Sequence, residues 1–138
     1  MSAYKVIECE ITNEEHIIAG LVDMGISREN IEVHENAVPI HNYAGRAQGK
    51  ANIIVRRQNF KQHTRARWNA DLGFEKKSDG TYGMHINSEE QRWWDKREPR
   101  FKQVAATMQV TQAARKRGYH IKKVEKDGVV KLQLSKNF

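Results

Sequence analysis

The chain has 138 residues, of which 38% are hydrophobic and 30% charged, and its formal net charge is +7. This length suffices for one domain with a substantial core, while the single cysteine, Cys9, excludes an intramolecular disulfide and a cysteine-based zinc site. No run approaches the roughly 20 apolar residues of a membrane span, and the start MSAYKVIECEI lacks a signal-peptide pattern, so we expect a cytoplasmic protein.

The first 40 residues predict a strand, a helix and a second strand. The run AYKVIECEI alternates loosely and is typical of an opening strand. Thr12 and Glu15 have the spacing of a capping box, and Ile17 and Leu21 belong to an apolar stripe at helical period. Gly25 can end this helix in the left-handed conformation. The run NIEVHENAVPI then predicts a strand that is interrupted near its proline.

The middle of the chain predicts a loop, an interior strand and a hairpin. HNYAGRAQGK is rich in turn residues, and ANIIVRR places apolar side chains on both faces, as an interior strand does. RWNADLGFEKKSDGTYGMHI alternates into an SDG turn and out of it, which is typical of a hairpin.

The last third predicts a charged linker, a helix and another hairpin. We predict the linker at about 87–99, with two tryptophans, and place Pro99 in the first turn of a helix over 100–117. Val104 and Met108 should pack that helix on the sheet, and a KDG turn should close the final hairpin. The basic run ARKRGYH is explained by cations that complement a helix C-terminus.

Together these elements predict one α+β domain over residues 1–138, in the order β-α-β-β-β-β-α-β-β. An amphipathic helix stripe needs a sheet to cover, so we expect two helices packed on one face of a mostly antiparallel sheet.

Several pieces resemble a known family in their order and spacing. They are the LVDMGI helix end, the NYAG loop before ANIIV, DLGF followed by DGTYG, and RGYHIKKVEKDGVVKLQL. The chain resembles a domain-of-unknown-function family of small hypothetical proteins from cyanobacteria, algal plastid genomes and bacteriophages. The resemblance implies the fold and assigns no activity. The chain departs from the family pattern at one place, because the connection between ANIIV and DLGF is longer and more basic here.

Charge is distributed unevenly along the chain. Residues 1–40 hold two bases and eight acids, whereas residues 41–70 hold seven Lys/Arg and no acid. The densest stretch, VRRQNFKQHTRARW, predicts a basic arm at about 56–67 within an electrostatic surface over 46–67. Its candidate nucleic-acid-binding residues are Arg46, Lys50, Arg56, Arg57, Phe60, Lys61, His63, Arg65 and Arg67. The cations suit phosphate contacts, and Phe60 or His63 suits stacking on a base. We predict that Trp68 is mostly buried and anchors the return of this arm to the sheet, while Arg65 and Arg67 stay exposed. The alternative is a solvated cationic loop.

A second basic stretch interleaves cations with tryptophan over residues 92–102. Its candidate nucleic-acid-binding residues are Arg92, Trp93, Trp94, Lys96 and Arg97. Indoles beside cations suit stacking on unpaired bases, and they equally suit a protein interface, where Trp and Arg are enriched. The plainest alternative is that one tryptophan belongs to the core and the other caps a helix.

No catalytic motif or cofactor motif stands out, so we predict neither an enzyme nor a cofactor. The histidines lack H-x-H and H-E-x-x-H spacing, which leaves only a weak composite metal site from His34, His41 and Asp71. Asp71 and His85 could face one another across the hairpin as an acid and a base, or lie on its solvent face.

Two functions from different classes therefore remain open. The first is a small cytosolic module that binds RNA, single-stranded nucleic acid or a ribonucleoprotein through its basic arm; RNA or a single strand is expected because no recognition helix presents base-reading side chains. The second is a protein-binding adaptor or inhibitor whose arm docks an acidic partner, and whose acidic first 40 residues form another surface. If the chain is phage-encoded, that partner would be a complex in the host cytoplasm.

Overall fold

A computed structural model describes residues 4–9, 11–60, 68–127 and 129–136. The helices are α1 (Glu14–Asp23) and α2 (Gln91–Lys116). The strands are β1 (Tyr4–Cys9), β2 (Ile31–His41), β3 (Ala47–Val55), β4 (Leu72–Lys76), β5 (Tyr82–Asn87), β6 (Tyr119–Lys126) and β7 (Val129–Lys136). The predicted order of elements and the α+β class are confirmed.

The first five strands form one sheet in the spatial order β1-β5-β4-β3-β2, and each neighbouring pair is antiparallel. Ile53, Phe74 and Met84 are register partners on three successive strands, and all three are buried in the main core. Side chains alternate between the two faces of a sheet, so these three residues and the residues two positions away on each strand lie on the same face. This is the face that the helices cover. The strands β6 and β7 pair only with each other, as a separate two-stranded ribbon.

Helix α1 packs as its apolar stripe predicts. Ile17 and Leu21 are both 0% exposed, and Gly25 ends the helix at φ +99°. Its N-cap, however, is Asn13 rather than Thr12, because the Asn13 side chain accepts a hydrogen bond from the backbone N–H of Glu15 at 2.9 Å. Asparagine is among the strongest N-cap residues, so it competes well with the neighbouring threonine.

Helix α2 begins at Gln91, so the linker predicted over 87–99 is wrong. Residues 88–90 form a short 3-10 turn, and the two tryptophans lie in the first turns of the helix. Pro99 is the ninth residue of the helix and not part of its first turn. The reason is burial, because the helix places Trp94 and Phe101 on one side, where both contact the ring of Phe74. Their burial offsets the cost of a proline inside the helix.

The two helices approach each other closely at Gly20, where an added Cβ would lie 2.5 Å from the ring of Phe101. Further along α2 the contact opens. Val104 and Met108 are half-buried and line a groove of about 690 Å³ between the helices, together with Ile18 and Val22. The prediction that Val104 and Met108 pack on the sheet beside Ile17 and Leu21 is therefore wrong for these two residues.

The opposite face of the sheet is partly covered by the far half of the β2–β3 hairpin. Pairing of these strands is irregular between Val33 and Val38, and beyond that point Ile40 and Ala51 approach Gly73. A Cβ on Gly73 would lie 2.6 Å from the Cβ of Ala51, so glycine is required for this approach. The hairpin end thereby reaches the segment that enters β4, where residues 42 and 70 form a bridge.

Candidate functional site

Three aromatic side chains hold the two ends of the predicted arm. Residues 57–60 form a 3-10 turn after β3, and the ring of Phe60 stacks on Trp68 with centroids 3.6 Å apart and planes 6° from parallel. The edge of Trp93 on α2 meets both rings, at 5.8 Å from Phe60 and 5.0 Å from Trp68. We call Phe60, Trp68 and Trp93 the aromatic clasp. The prediction that Trp68 is buried is confirmed, since it is 7% exposed.

The aromatic clasp brings the two predicted basic stretches together. Arg97 lies with its guanidinium carbon 4.0 Å from the centroid of the Trp93 ring, and its Nη1 donates to the carbonyl oxygen of Trp93 at 2.9 Å. Arg92 and Lys96 are exposed on the same turns of α2. The segment between Phe60 and Trp68 thus begins and ends beside this cationic part of α2. Four of the candidate residues lie outside the described residues: Lys61, His63, Arg65 and Arg67. The exposure of Arg65 and Arg67 therefore stays a prediction.

The aromatic candidates themselves are structural. Phe60 is 0% exposed within the clasp, which leaves no ring face for a base. Trp94 is 2% exposed, packs against Phe74 and Phe101, and donates its Nε1–H to the carboxylate of Glu98 at 3.0 Å. Trp93 is half-buried. Neither Phe60 nor Trp94 can therefore stack on a base, whereas Arg92 and Lys96 nearby are exposed.

Arg56 belongs to an ion-pair network on the far face of the sheet. Its guanidinium donates to both carboxylate oxygens of Glu32, at 2.7 and 3.0 Å, and to the Asp71 carboxylate at 3.0 Å. The hydrogen bond from Arg56 holds the pKa of Glu32 below its ordinary value, and the bond to Glu32 raises the pKa of Arg56. Because two acids already neutralise its charge, Arg56 contributes little to a surface for anions.

Arg57, the next residue, has a different role. Its side chain is exposed, while its backbone N–H donates to Asp71 Oδ1 at 3.0 Å. Asp71 therefore fixes the start of the arm and leaves the guanidinium of Arg57 in solvent. Arg57 is the described arm cation that is best placed for an anionic ligand.

Arg46 and Lys50 are also exposed, at the far end of the β2–β3 hairpin. The side chain of Asn42 shapes this turn by accepting from the backbone N–H groups of Ala44 and Arg46, at 3.0 and 3.1 Å. Within the described ranges, the rings of the aromatic clasp pack on each other and on Arg97, and not on these two cations. We therefore leave Arg46 and Lys50 out of the surface that the clasp organises.

The acid–base pair of Asp71 and His85 does not form. Asp71 is 4% exposed, and its carboxylate accepts from the backbone N–H of His41 at 2.9 Å besides Arg56 and Arg57. His85 pairs instead with Glu75 at 3.0 Å. The composite metal site is not assembled either, since no group of three His, Cys, Asp or Glu side chains within the described ranges could hold a metal ion.

Sequence reasoning missed one basic surface, on the β6–β7 ribbon. Register pairs His120 with Ser135, Lys122 with Gln133, and Val124 with Lys131. Residues that are partners or second neighbours share a face of a two-stranded sheet. The exposed members of this face are His120, Lys122, Val129, Lys131, Gln133 and Ser135, and we call them the ribbon face. In the sequence, the lysines on either side of the KDG turn were the available signal for such a surface. Only the register between β6 and β7 shows which of them share a face.

No protein-family model matches the chain, and no curated protein or solved structure is similar enough to it to be matched. The resemblance to the domain-of-unknown-function family therefore stays a prediction. Neither helix in the described part of the chain combines the length and the apolar character needed to cross a membrane.

Proposed function

We propose that this chain is a nucleic-acid-binding module that holds RNA or a single strand mainly through phosphate contacts. The observation that carries the proposal is the aromatic clasp, because Phe60 and Trp68, which flank the acid-free segment 61–67, both pack on Trp93 of α2 beside Arg97. We call the resulting surface the clasp surface: Arg57, Lys61, Arg65, Arg67, Arg92, Lys96 and Arg97.

The charge of the clasp surface supports an anionic ligand. The stretch 41–70 contains no Asp or Glu, so no acid within the stretch offsets the charge of its lysines and arginines. Phosphates are the part of a nucleic acid that lysine and arginine neutralise, with release of bound counterions. Arg97 presents a planar guanidinium whose position is held by the Trp93 ring and carbonyl, and a guanidinium can donate two parallel hydrogen bonds to one phosphate.

Sequence-specific reading of a duplex by α2 is disfavoured. A recognition helix lies in the major groove with several polar side chains on base edges. The first turns of α2 instead bury Trp94 and Phe101 in the core and hold Arg97 on Trp93. The exposed cations that remain suit backbone contacts, which position a nucleic acid without reading its sequence.

Changing Arg57, Lys61, Arg65 and Arg67 together to Gln should flatten the salt dependence of single-strand binding. If each residue neutralises one phosphate, these four contribute a slope of about −3 to log K against log salt, at about −0.7 per contact. Fluorescence anisotropy with single-stranded RNA over a salt series measures this slope. The control replaces Lys76 and Lys116, two exposed lysines outside both basic stretches, by Gln and should leave the slope within error. Equal slopes for the parent and the quadruple variant would remove the arm from the binding surface.

A protein-binding adaptor is the second candidate, and the groove between α1 and α2 favours it. Apolar side chains of both helices line the groove, and Glu14 and Glu15 stand at its rim. This is the second, acidic surface that an adaptor with a basic arm would use. If the parent chain binds neither RNA nor DNA at low salt, the adaptor takes precedence.

A further inference from the structure

The second sheet of the molecule presents a basic face that the clasp surface does not include. Lys122 and Lys131 are exposed on the ribbon face, diagonal to one another across the β6–β7 pair. Such diagonal neighbours lie about 7–8 Å apart at their Cα atoms. The polar side chains of Gln133 and Ser135 extend the same face.

Acids are kept off the ribbon face by register and by pairing. Glu125 is the one acid within the β6 and β7 strands, and register places it on the opposite face of the ribbon. There it forms an ion pair with Arg100 of α2, which also binds the Asp23 carboxylate. These bonds hold the face that carries Glu125 and Lys123 toward the helix and leave the ribbon face turned outward.

From this arrangement we infer that the ribbon face binds the backbone of a base-paired stem. The inference rests on the proposed function and adds the class of ligand: a nucleic acid with a stem next to a single-stranded part. Single-strand sites combine a groove with aromatic platforms. The ribbon face carries no exposed ring apart from the imidazole of His120. A two-stranded ribbon is instead one of the two elements that the major groove of B-form DNA admits, while in A-form RNA the wide minor groove and its phosphates are open to a flat polar surface.

The ribbon and the clasp both adjoin α2. Arg100 contacts Glu125 on the face of the ribbon opposite the ribbon face, and Arg97, one helical turn earlier, lies on Trp93 of the clasp. The ribbon face itself therefore points away from the helix. A ligand that uses both surfaces must pass around an edge of the ribbon, with its single-stranded part on the clasp surface and its paired stem on the ribbon face.

Replacing Lys122 and Lys131 by Gln tests the inference, with hairpin and unpaired oligonucleotides of equal length as probes, in RNA and DNA forms. Removing one lysine that neutralises a phosphate should reduce the salt slope by about 1, so the double variant should bind the hairpin with a slope shallower by about 2. Its binding of the unpaired probe should stay within about two-fold of the parent. Gln133→Lys adds a cation opposite Lys122 and should steepen the hairpin slope by about 1. The charge-matched control is again the pair Lys76→Gln and Lys116→Gln, and thermal melting verifies that each variant is folded.

The outcomes separate the two proposals. If the ribbon variant behaves as the control on hairpins while the quadruple arm variant loses binding, the ribbon inference is overturned and the proposed function stands. If the arm variant binds like the parent while the ribbon variant loses the hairpin, the clasp surface is overturned and the ribbon stands. If the parent binds neither probe, both are overturned.

Discussion

Replacing Asp71 by Ala is expected to lower the free energy of unfolding by about 2–4 kcal/mol, because each buried donor that loses its acceptor costs about 1–3 kcal/mol. Asp71 is 4% exposed and accepts from Arg56 and from the backbone N–H groups of His41 and Arg57. Without its carboxylate, the backbone N–H groups of His41 and Arg57 have no acceptor there, while Arg56 keeps its two hydrogen bonds to Glu32. Urea unfolding monitored by tryptophan fluorescence measures the change.

The matched control is Asp95→Ala, which removes the same side chain from an exposed position on α2. An exposed substitution of this kind should change stability by no more than about 0.5 kcal/mol. If Asp71→Ala is as mild as Asp95→Ala, the hydrogen bonds of Asp71 do not stabilise the fold at the base of the arm.

Replacing Trp68 by Ala is expected to cost about 3–5 kcal/mol in stability, as for other buried large aromatic residues. The variant lacks both the stack on Phe60 and the edge-on packing against Trp93, and aromatic pairs add about 0.5–1.5 kcal/mol beyond the area they bury. Because Phe60 and Trp68 flank the arm and both pack on Trp93, the proposed function predicts that nucleic-acid affinity falls as well, even at temperatures where the variant is folded. Calorimetry and anisotropy titration measure the two effects.

Two control variants make this result specific to the clasp. Trp68→Phe keeps a ring on Phe60 and should retain most of the affinity. Tyr43→Ala removes an aromatic residue that is 61% exposed, so it should change neither stability nor binding appreciably. A Trp68→Ala variant that resembles Tyr43→Ala in both measurements would contradict the account of the clasp.

Periodic patterns in the sequence were sufficient to predict most of the fold. The stripe that contains Ile17 and Leu21 predicted the buried side of α1, and both side chains are fully buried. Alternation and turn residues predicted the order of the strands along the chain, because each of these signals is local in sequence. The same signals failed at α2, where a narrow apolar side that includes Trp94 and Phe101 is surrounded by charged residues and interrupted by Pro99. Such a pattern resembles a linker until the partner rings on the sheet are known.

The candidate site depended on contacts that no local pattern encodes. Arg56 and Arg57 are neighbours in an unbroken basic run, yet one is neutralised by Glu32, 24 residues away, while the other is exposed. Phe60 and Trp93 are likewise brought together only by the fold. Sequence could therefore predict that positive charge is concentrated here. It could not predict which cations are free for a ligand or that the two basic stretches adjoin.

The most direct test of the central claim is whether the purified chain carries nucleic acid that depends on the clasp surface. The measurement compares ultraviolet absorbance spectra and size-exclusion elution of the parent and the quadruple arm variant, each purified at low salt with and without nuclease treatment. The account predicts that the untreated parent elutes early with a nucleic-acid absorbance component, that nuclease removes both features, and that the variant lacks them from the start. A parent preparation free of nucleic acid that also fails to bind added RNA or DNA would contradict it.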